Sequence, residues 1–293
     1  MLDHLQTIRA AYGSAKRACA AAWISDAAGE ALRELAILSL KFLINECSPV
    51  ELTSLVPGKQ YFSYARKDAP DLVSRPANSS LFVPDPDLVS AGWEAWLSGE
   101  ADLAYLGRIC YTLGLAPCLA MELFDRQNKK GPATYFECFV GHMFARAFGT
   151  NPTKRATLSV QKRAIRMTMD FLFDVPGRGK VHLPVKMSTR ERVVQAWAHQ
   201  RLLSSAYGED SYKGIMVLFS ETKLDSRSRE VVEICVPDQW LAYQALLSKM
   251  ERIYYFDRPE RYQTLTNQFP DLIVIKDFAE FFTEKESVLP LGS

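Results

Sequence analysis

Residues 166–200 read RMTMDFLFDVPGRGKVHLPVKMSTRERVVQAWAHQ. Two alternating runs flank a Pro/Gly turn, and a helical pattern follows at once. In the first run Met167, Met169, Phe171, Phe173 and Val175 form an apolar row; in the second, Val181, Leu183, Val185 and Met187 form another. A period of two puts each row on one face of a half-buried strand. The intervening row is Arg166, Thr168, Asp170, Leu172 and Asp174 on the first strand, and His182, Pro184, Lys186 and Ser188 on the second. Pairing Val175 with Val181 across the five-residue PGRGK loop sets Asp170 opposite Lys186 on one face. The helix after them spans about 189–203.

Working outward, Ala133 to Phe148 predicts an amphipathic helix, with Tyr135, Phe136, Phe139, Val140, Met143, Phe144, Ala147 and Phe148 on its apolar side and Gly149 and Pro152 ending it. Beyond the hairpin come strand-like runs at 214–221 and 230–237, a helix at 239–254 and a final strand–helix pair in DLIVIKDFAEFF at 271–282. The order helix, hairpin, helix, strand, strand, helix predicts an α/β fold of α+β type, a mixed sheet flanked by helices on both faces. Upstream, residues 1–47 read as helical, and the broad apolar stripe of 27–46 predicts burial between neighbours. The proline-rich stretch 49–90 reads as irregular structure, and helical pattern returns from Leu88 to about Phe124. The polar tract DRQNKKGP at 125–132 is the expected boundary between a mainly helical N-terminal region, 1–126, and a second domain, 127–293.

At 293 residues, 48% hydrophobic and 24% charged, the chain has the composition of a globular protein. Its apolar runs are interrupted before 18 residues, so no membrane span is expected, and the N-terminus lacks the apolar centre of a signal peptide. Six scattered cysteines without a CxxC pair predict reduced thiols and a cytoplasmic location. The net charge of +1 excludes a global attraction to polyanions but leaves room for local basic segments. One such cluster surrounds the hairpin: Lys154, Arg155, Lys162, Arg163 and Arg166 before it, Arg190, Arg192 and Arg201 after it.

Residues 127–205 resemble the PD-(D/E)xK superfamily, and more narrowly the type II restriction endonucleases. Three segments carry the resemblance: GPATYFECFVG with Glu137, the hairpin with Asp170, and VKMSTRERVVQ with Lys186. It implies a restriction-endonuclease-like core and Mg2+-dependent, sequence-specific cleavage of double-stranded DNA by a homodimer. Phosphodiester hydrolysis needs a cation at the phosphate, a carboxylate to hold it and a group to orient water. The resemblance assigns Asp170 and Glu137 to the metal and Lys186 to the water, and the basic cluster around the hairpin offers Arg163, Arg166, Arg190 and Arg192 as DNA contacts. The family's usual acid two residues before the lysine is Pro184 here. In one subgroup that acid sits about 13 residues after the lysine, where this chain has His199. Glu191, Gln195 and His199 share one helix face, and any of that row, Asp174 or Glu137 could complete the site. A catalytically inactive nucleic-acid-binding protein on the same scaffold is the alternative.

The remaining features read more plainly. Glu221-Thr222-Lys223 repeats the E-x-K spacing but reads as coincidence, since no aspartate-bearing hairpin precedes it. Trp93 and Trp96 read as core, and His4 and His142 have no supporting context.

Overall fold

The computed structural model describes residues 2–125, 127, 128, 130–189, 193–225 and 227–289, with the side chains of residues 2 and 3 outside that description. The chain divides into two compact units, Met1–His142 with Thr222–Ile234, and Met143–Glu221 with Cys235–Ser293. The tract 125–132 lies inside the first unit.

In the first unit, α1 (Leu2–Ala21) and α2 (Asp26–Glu46) form the expected helical start. Ser25 caps α2 by accepting the Ala28 N–H at 3.2 Å, and Leu32, Leu35, Leu40 and Leu43 bury its broad stripe. Helix α3 (Pro86–Ser98) begins on an Asp85 cap with proline in its first turn and ends at Gly99, whose φ of 77° is the left-handed conformation that stops a helix. Trp93 is buried in the core as the sequence suggested.

Helix α4 (Leu103–Phe124) is long and apolar enough to cross a bilayer by length and composition, contrary to the reading of interrupted runs. Most of it is buried within the protein, which makes it a core helix. Pro117 lies in its middle and has no N–H to give the Leu113 carbonyl one turn earlier. The Tyr135 hydroxyl, from α5 (Lys130–Phe148), donates to that carbonyl at 2.8 Å. Burial drives the Tyr135 pKa well above its usual 10, so the hydroxyl stays a donor.

The proline-rich stretch is not irregular. It forms β1 (Cys47–Ser54), β2 (Tyr61–Arg66), β3 (Ala69–Val73) and the short β4 (Ala77–Asn78). β1 and β3 are largely exposed and β4 is only two residues long, so none of the three shows the apolar alternation that marks a strand. The strand expected at 230–237 joins this sheet rather than the second one. It is β11 (Glu230–Glu233), parallel to β1 and antiparallel to β10 (Thr222–Leu224), in the order β10-β11-β1-β2-β3 with β4 on β2. Lys59 ties the β1–β2 turn to it through Glu233 at 2.8 Å.

The second unit is the mixed sheet. Its order is β13-β12-β9-β7-β6-β5, with β8 alongside β9. Strands β5 (Thr153–Val160), β6 (Arg163–Val175) and β7 (Gly179–Leu183) are antiparallel, while β9 (Tyr212–Leu218), β12 (Arg252–Tyr255) and β13 (Ile275–Asp277) run parallel to β7. One face packs Trp197 of α6 (Val193–Tyr207), Trp240 of α7 (Pro237–Leu246) and Tyr262 of α8 (Glu260–Gln268) against Met216, Ile253 and Ile275. On the other, Phe144 and Phe148 meet Phe173 and Phe281 of α9 (Glu280–Val288). Helices therefore cover both faces. The helix expected at 239–254 stops at Leu246 because the RIYY run that follows alternates: Ile253 and Tyr255 enter the α7–α8 core, while the Tyr254 hydroxyl donates to Glu284 of α9 at 2.6 Å. All six cysteines are free thiols.

Replacing Tyr135 by Phe should leave the Leu113 carbonyl buried without its donor and cost about 1–3 kcal/mol. In a Pro117→Ala background the helix supplies its own N–H, so the same replacement should cost much less. Urea unfolding of the four proteins measures this; equal costs in both backgrounds would refute it.

Candidate active site

The turn of the central hairpin is shorter than the sequence reading had it. Pro176 and Gly177 (φ 70°) occupy the middle of a type II turn closed by Arg178 N–H to Val175 O at 3.0 Å. Val175 thus pairs with Gly179, and Phe173 takes Val181. The shift is two residues, so facing parity survives while the partners move. The residue that would stand opposite Asp170 is Pro184, which has no N–H for a ladder, and the β6–β7 pairing ends at Phe171↔Leu183.

Lys186 is carried instead by β9. Strand β8 (Val185–Lys186) continues β7 in the same parallel register, with Lys180↔Tyr212 before Pro184 and Lys186↔Leu218 after it. Pro184 O accepts Val217 N–H at 2.9 Å, and Lys186 O accepts Phe219 N–H at 3.1 Å.

Asp170 sits in a bulge. Strands β5 and β6 pair from Val160↔Arg163 to Arg155↔Thr168 and resume at Thr153↔Leu172. Two steps along β5 match four along β6, and the surplus falls on 169–171. The single apolar row read from alternation is accordingly two half-rows. Met167 and Met169 pack with Leu172 and with Leu203 of α6, whereas Phe173 lies on the other side with Phe148. Bulges re-aim side chains; here Asp170 Oδ2 accepts both the Val185 N–H at 2.9 Å and the Lys186 ammonium at 2.5 Å. Both side chains are about one-fifth exposed, at 22% and 23%.

Helix α6 brings two further groups to this region. Burial lowers the His199 pKa, with Asp170 opposing the shift and Lys186 adding to it, so His199 lies within electrostatic reach of both. Its ring centroid is 6.2 Å from that of His182. His182 is buried and its Nδ1 lies 3.0 Å from Gln200 Oε1. Gln200 Nε2 donates to Tyr212 O at 2.7 Å, which fixes the amide so that Oε1 accepts; His182 must then carry its proton on Nδ1. Gly214 makes room for this, because a Cβ there would meet Gln200 Oε1 at 2.9 Å and Met250 Sδ at 2.6 Å. Burial pushes the His182 pKa down to about 4.

Asp174 is exposed and pairs with Lys180 across the hairpin at 3.9 Å. Glu137 belongs to the first unit, on the part of α5 before His142. Gln195 is exposed on α6, and Arg163 and Arg166 are exposed on the far half of β6. Arg190, Glu191 and Arg192 lie outside the described residues. Among the described residues no three His, Cys, Asp or Glu side chains gather as a metal cluster. Asp170 alone fits a hard cation: Oδ1 accepts no hydrogen bond among the described residues, and Mg2+ is often held by one or two carboxylates with water and phosphate.

No protein-family model matches the chain, and no curated protein sequence matches it. Among solved structures, the type IIP restriction endonuclease Kpn2I superposes with a TM-score of 0.79, covering 96% of this chain and 97% of that one at 23% sequence identity. The chain has the restriction-endonuclease fold. The restriction endonuclease PspGI in complex with substrate DNA is a more distant match, with a TM-score of 0.45 and 13% identity over 69% of this chain and 92% of that one.

Within this fold, sequence reasoning missed Glu221. The residue, read from its E-x-K spacing as a coincidence, is buried and structurally central. It accepts from Thr189 N–H at 3.2 Å, Thr189 Oγ1 at 2.7 Å and the Tyr255 hydroxyl at 2.7 Å. Burial, then Glu221 itself, holds the Tyr255 pKa well above 10 and keeps it a donor. The carboxylate thereby anchors the chain three residues after Lys186 to β9 and β12.

Two predictions follow from these contacts. His182 has a folded pKa of about 4, below the ordinary 6.5, so its stabilising contribution is full above about pH 6.5 and is lost as pH falls towards 4. Between pH 7 and pH 5 this amounts to about 2 kcal/mol. His182→Gln should lose that much less stability over the same interval in urea unfolding; an identical loss would contradict the assignment. Glu221→Ala should strand three buried donors at a cost of about 3 kcal/mol or more. It should also accelerate amide exchange at Thr189 more than at Val217, which hydrogen–deuterium exchange resolves.

Proposed function

We propose that this chain is a Mg2+-dependent, sequence-specific double-stranded DNA endonuclease of the restriction type. The observation that carries the reading is the Asp170–Lys186 contact at a bulged strand of a restriction-endonuclease fold. Asp170 Oδ1 is the anchor for the metal. When bound, Mg2+ neutralises charge at the phosphate and lowers the pKa of a water.

The protein's own groups do the rest. Lys186 presents a positive charge beside Asp170, where it steadies charge developing on the phosphate and orients the attacking water. His199, its pKa lowered by burial, is neutral at pH 7 and so able to take a proton at a ring nitrogen. Arg163, Arg166, Arg190 and Arg192 are assigned to DNA phosphates and base edges. Residues 127–293 carry the reaction, with 1–126 supplying specificity, dimer contacts or both. A homodimer acting in the cytoplasm suits cleavage of both strands of a palindromic site.

One observation favours a second reading, a non-catalytic DNA-binding protein on this scaffold. Pro184 stands where the family's usual acid lies.

Incubating the protein with phage or plasmid DNA and Mg2+, then sequencing the product ends, tests both readings. Cleavage at a defined sequence is expected, reduced about 100-fold or more in Asp170→Ala and Lys186→Ala. No cleavage across metals and sequences, with affinity retained, would select the non-catalytic reading.

A further inference from the structure

The outer halves of β5 and β6 form a two-stranded ribbon at the edge of the second sheet, since β5 pairs with β6 alone. Residues 153–169 contain five basic residues, Lys154, Arg155, Lys162, Arg163 and Arg166, and no acidic one. Arg155, Lys162, Arg163 and Arg166 are all exposed, and none makes an ion pair among the described residues. Elsewhere Arg33, Arg66, Arg75, Arg178, Arg252 and Arg258 each meet a carboxylate. In a chain of net charge +1, four unpaired cations on one ribbon are a local excess with a partner to find.

The ribbon's two faces differ at its root and converge at its tip. At the root, Ala156, Leu158, Met167 and Met169 pack towards Leu203 of α6. The opposite face presents Arg155, Thr157, Arg166 and Thr168, all exposed, with Thr157 paired to Arg166 and Arg155 to Thr168. Arg163 belongs to the first face but lies beyond the packed part, and Lys162 is in the turn. The tip is therefore cationic on both sides, with Val160 and Ile165 exposed at 48% and 43% between the charges. The turn places Gln161 and Lys162 at φ 49° and 65°, the left-handed pair that joins strands without splaying them.

We propose that this ribbon enters a groove of duplex DNA beside the cut, with Arg155, Lys162, Arg163 and Arg166 on the phosphates of the two groove walls. The inference rests on the DNA-cleaving reading above and adds a contact surface to it. A major groove admits a two-stranded ribbon, and thymine methyl groups on its floor suit Val160 and Ile165. The ribbon starts at the bulge that holds Asp170, so its tip lies up to about 25–30 Å along the strand at ~3.3 Å per residue. That reach corresponds to about eight base pairs of flanking duplex at ~3.4 Å per step.

The test is the salt dependence of binding, measured in EDTA so that nothing is cut. On a mixed-sequence duplex of about 40 base pairs, the slope of log K against log salt should fall by about 3–4 in magnitude in the quadruple variant Arg155→Gln, Lys162→Gln, Arg163→Gln, Arg166→Gln. The single variants Arg155→Gln and Arg166→Gln should each lower it by about 0.9, which keeps the test available if the quadruple variant does not fold. A slope unchanged in these variants, while the wild-type protein cuts DNA, would overturn the ribbon contact and leave the nuclease reading standing. A wild type that neither binds nor cuts would end both. A variant that alters sedimentation while keeping the slope would make the ribbon a contact between copies of the chain, and would also overturn the proposal.

Discussion

The second unit depends on where the Val185 N–H finds its acceptor. Strand 179–186 runs unbroken along β9, but its other edge leaves β6 at Pro184, a residue unable to continue the ladder. A buried N–H without a partner costs about 1–3 kcal/mol, and Val185 is buried. Asp170 Oδ2 meets that demand and takes the Lys186 ammonium on the same oxygen. The carboxylate is thus committed on one side to the fold and open on the other, through Oδ1. Loss of the side chain removes a backbone acceptor as well as an acid, whereas an amide in its place retains an oxygen for Val185.

Strand β9 is the spine on which the remaining groups are hung. It runs parallel to β7, β8 and β12, so the chain leaves each of them at the same end of the sheet. In open sheets of parallel strands, ligands gather outside those carboxyl ends. Here that end holds Lys186, the connector to Thr189, and Glu221 directly after β9. Glu221 links the connector to Tyr255 of β12. Two carboxylates of different kinds thus act on this segment: Asp170 touches the Lys186 ammonium, and Glu221 fixes the chain three residues on. Rigid first contacts backed by buried hydrogen bonds are what a preorganised site requires.

How much of this was legible depends on what the sequence pattern encodes. The hairpin and its facing parity followed from period-two alternation and a Pro/Gly turn, because those are local properties; the Asp170–Lys186 contact was expected from a register that the structure shifts, and it is made through the bulge and β9. The loop length did not, since PGRGK carries two glycines and only the Gly177 position closes the turn. Strand β5 went unread because only Ala156 and Leu158 of TKRATLSV are buried and its turn, Gln161-Lys162, lacks the Asn-Gly signal. Strands β1–β4 were hidden by prolines and by a sheet that is exposed on most of its strands. Gln200 and Glu221 were invisible for another reason: their roles depend on partners 12 to 34 residues away in sequence.

The bulge explains why alternation both found Asp170 and misjudged its surroundings. Side chains of a regular strand stand roughly perpendicular to the sheet, while the Val185 N–H points along the sheet, toward the neighbouring strand. A perpendicular carboxylate does not reach it. The surplus residues at 169–171 turn Asp170 into that direction and exchange the faces on either side, so Met169 and Leu172 share a cluster that strict alternation forbids. A bulge also bends its strand and increases the local twist. The same irregularity that aims the acid at Val185 and Lys186 therefore sets the angle at which the basic ribbon leaves the sheet. Removing the surplus residues would straighten the ribbon and withdraw the carboxylate together, which ties the chemistry of Asp170 to the direction of Arg155 and Arg166 through one feature of β6.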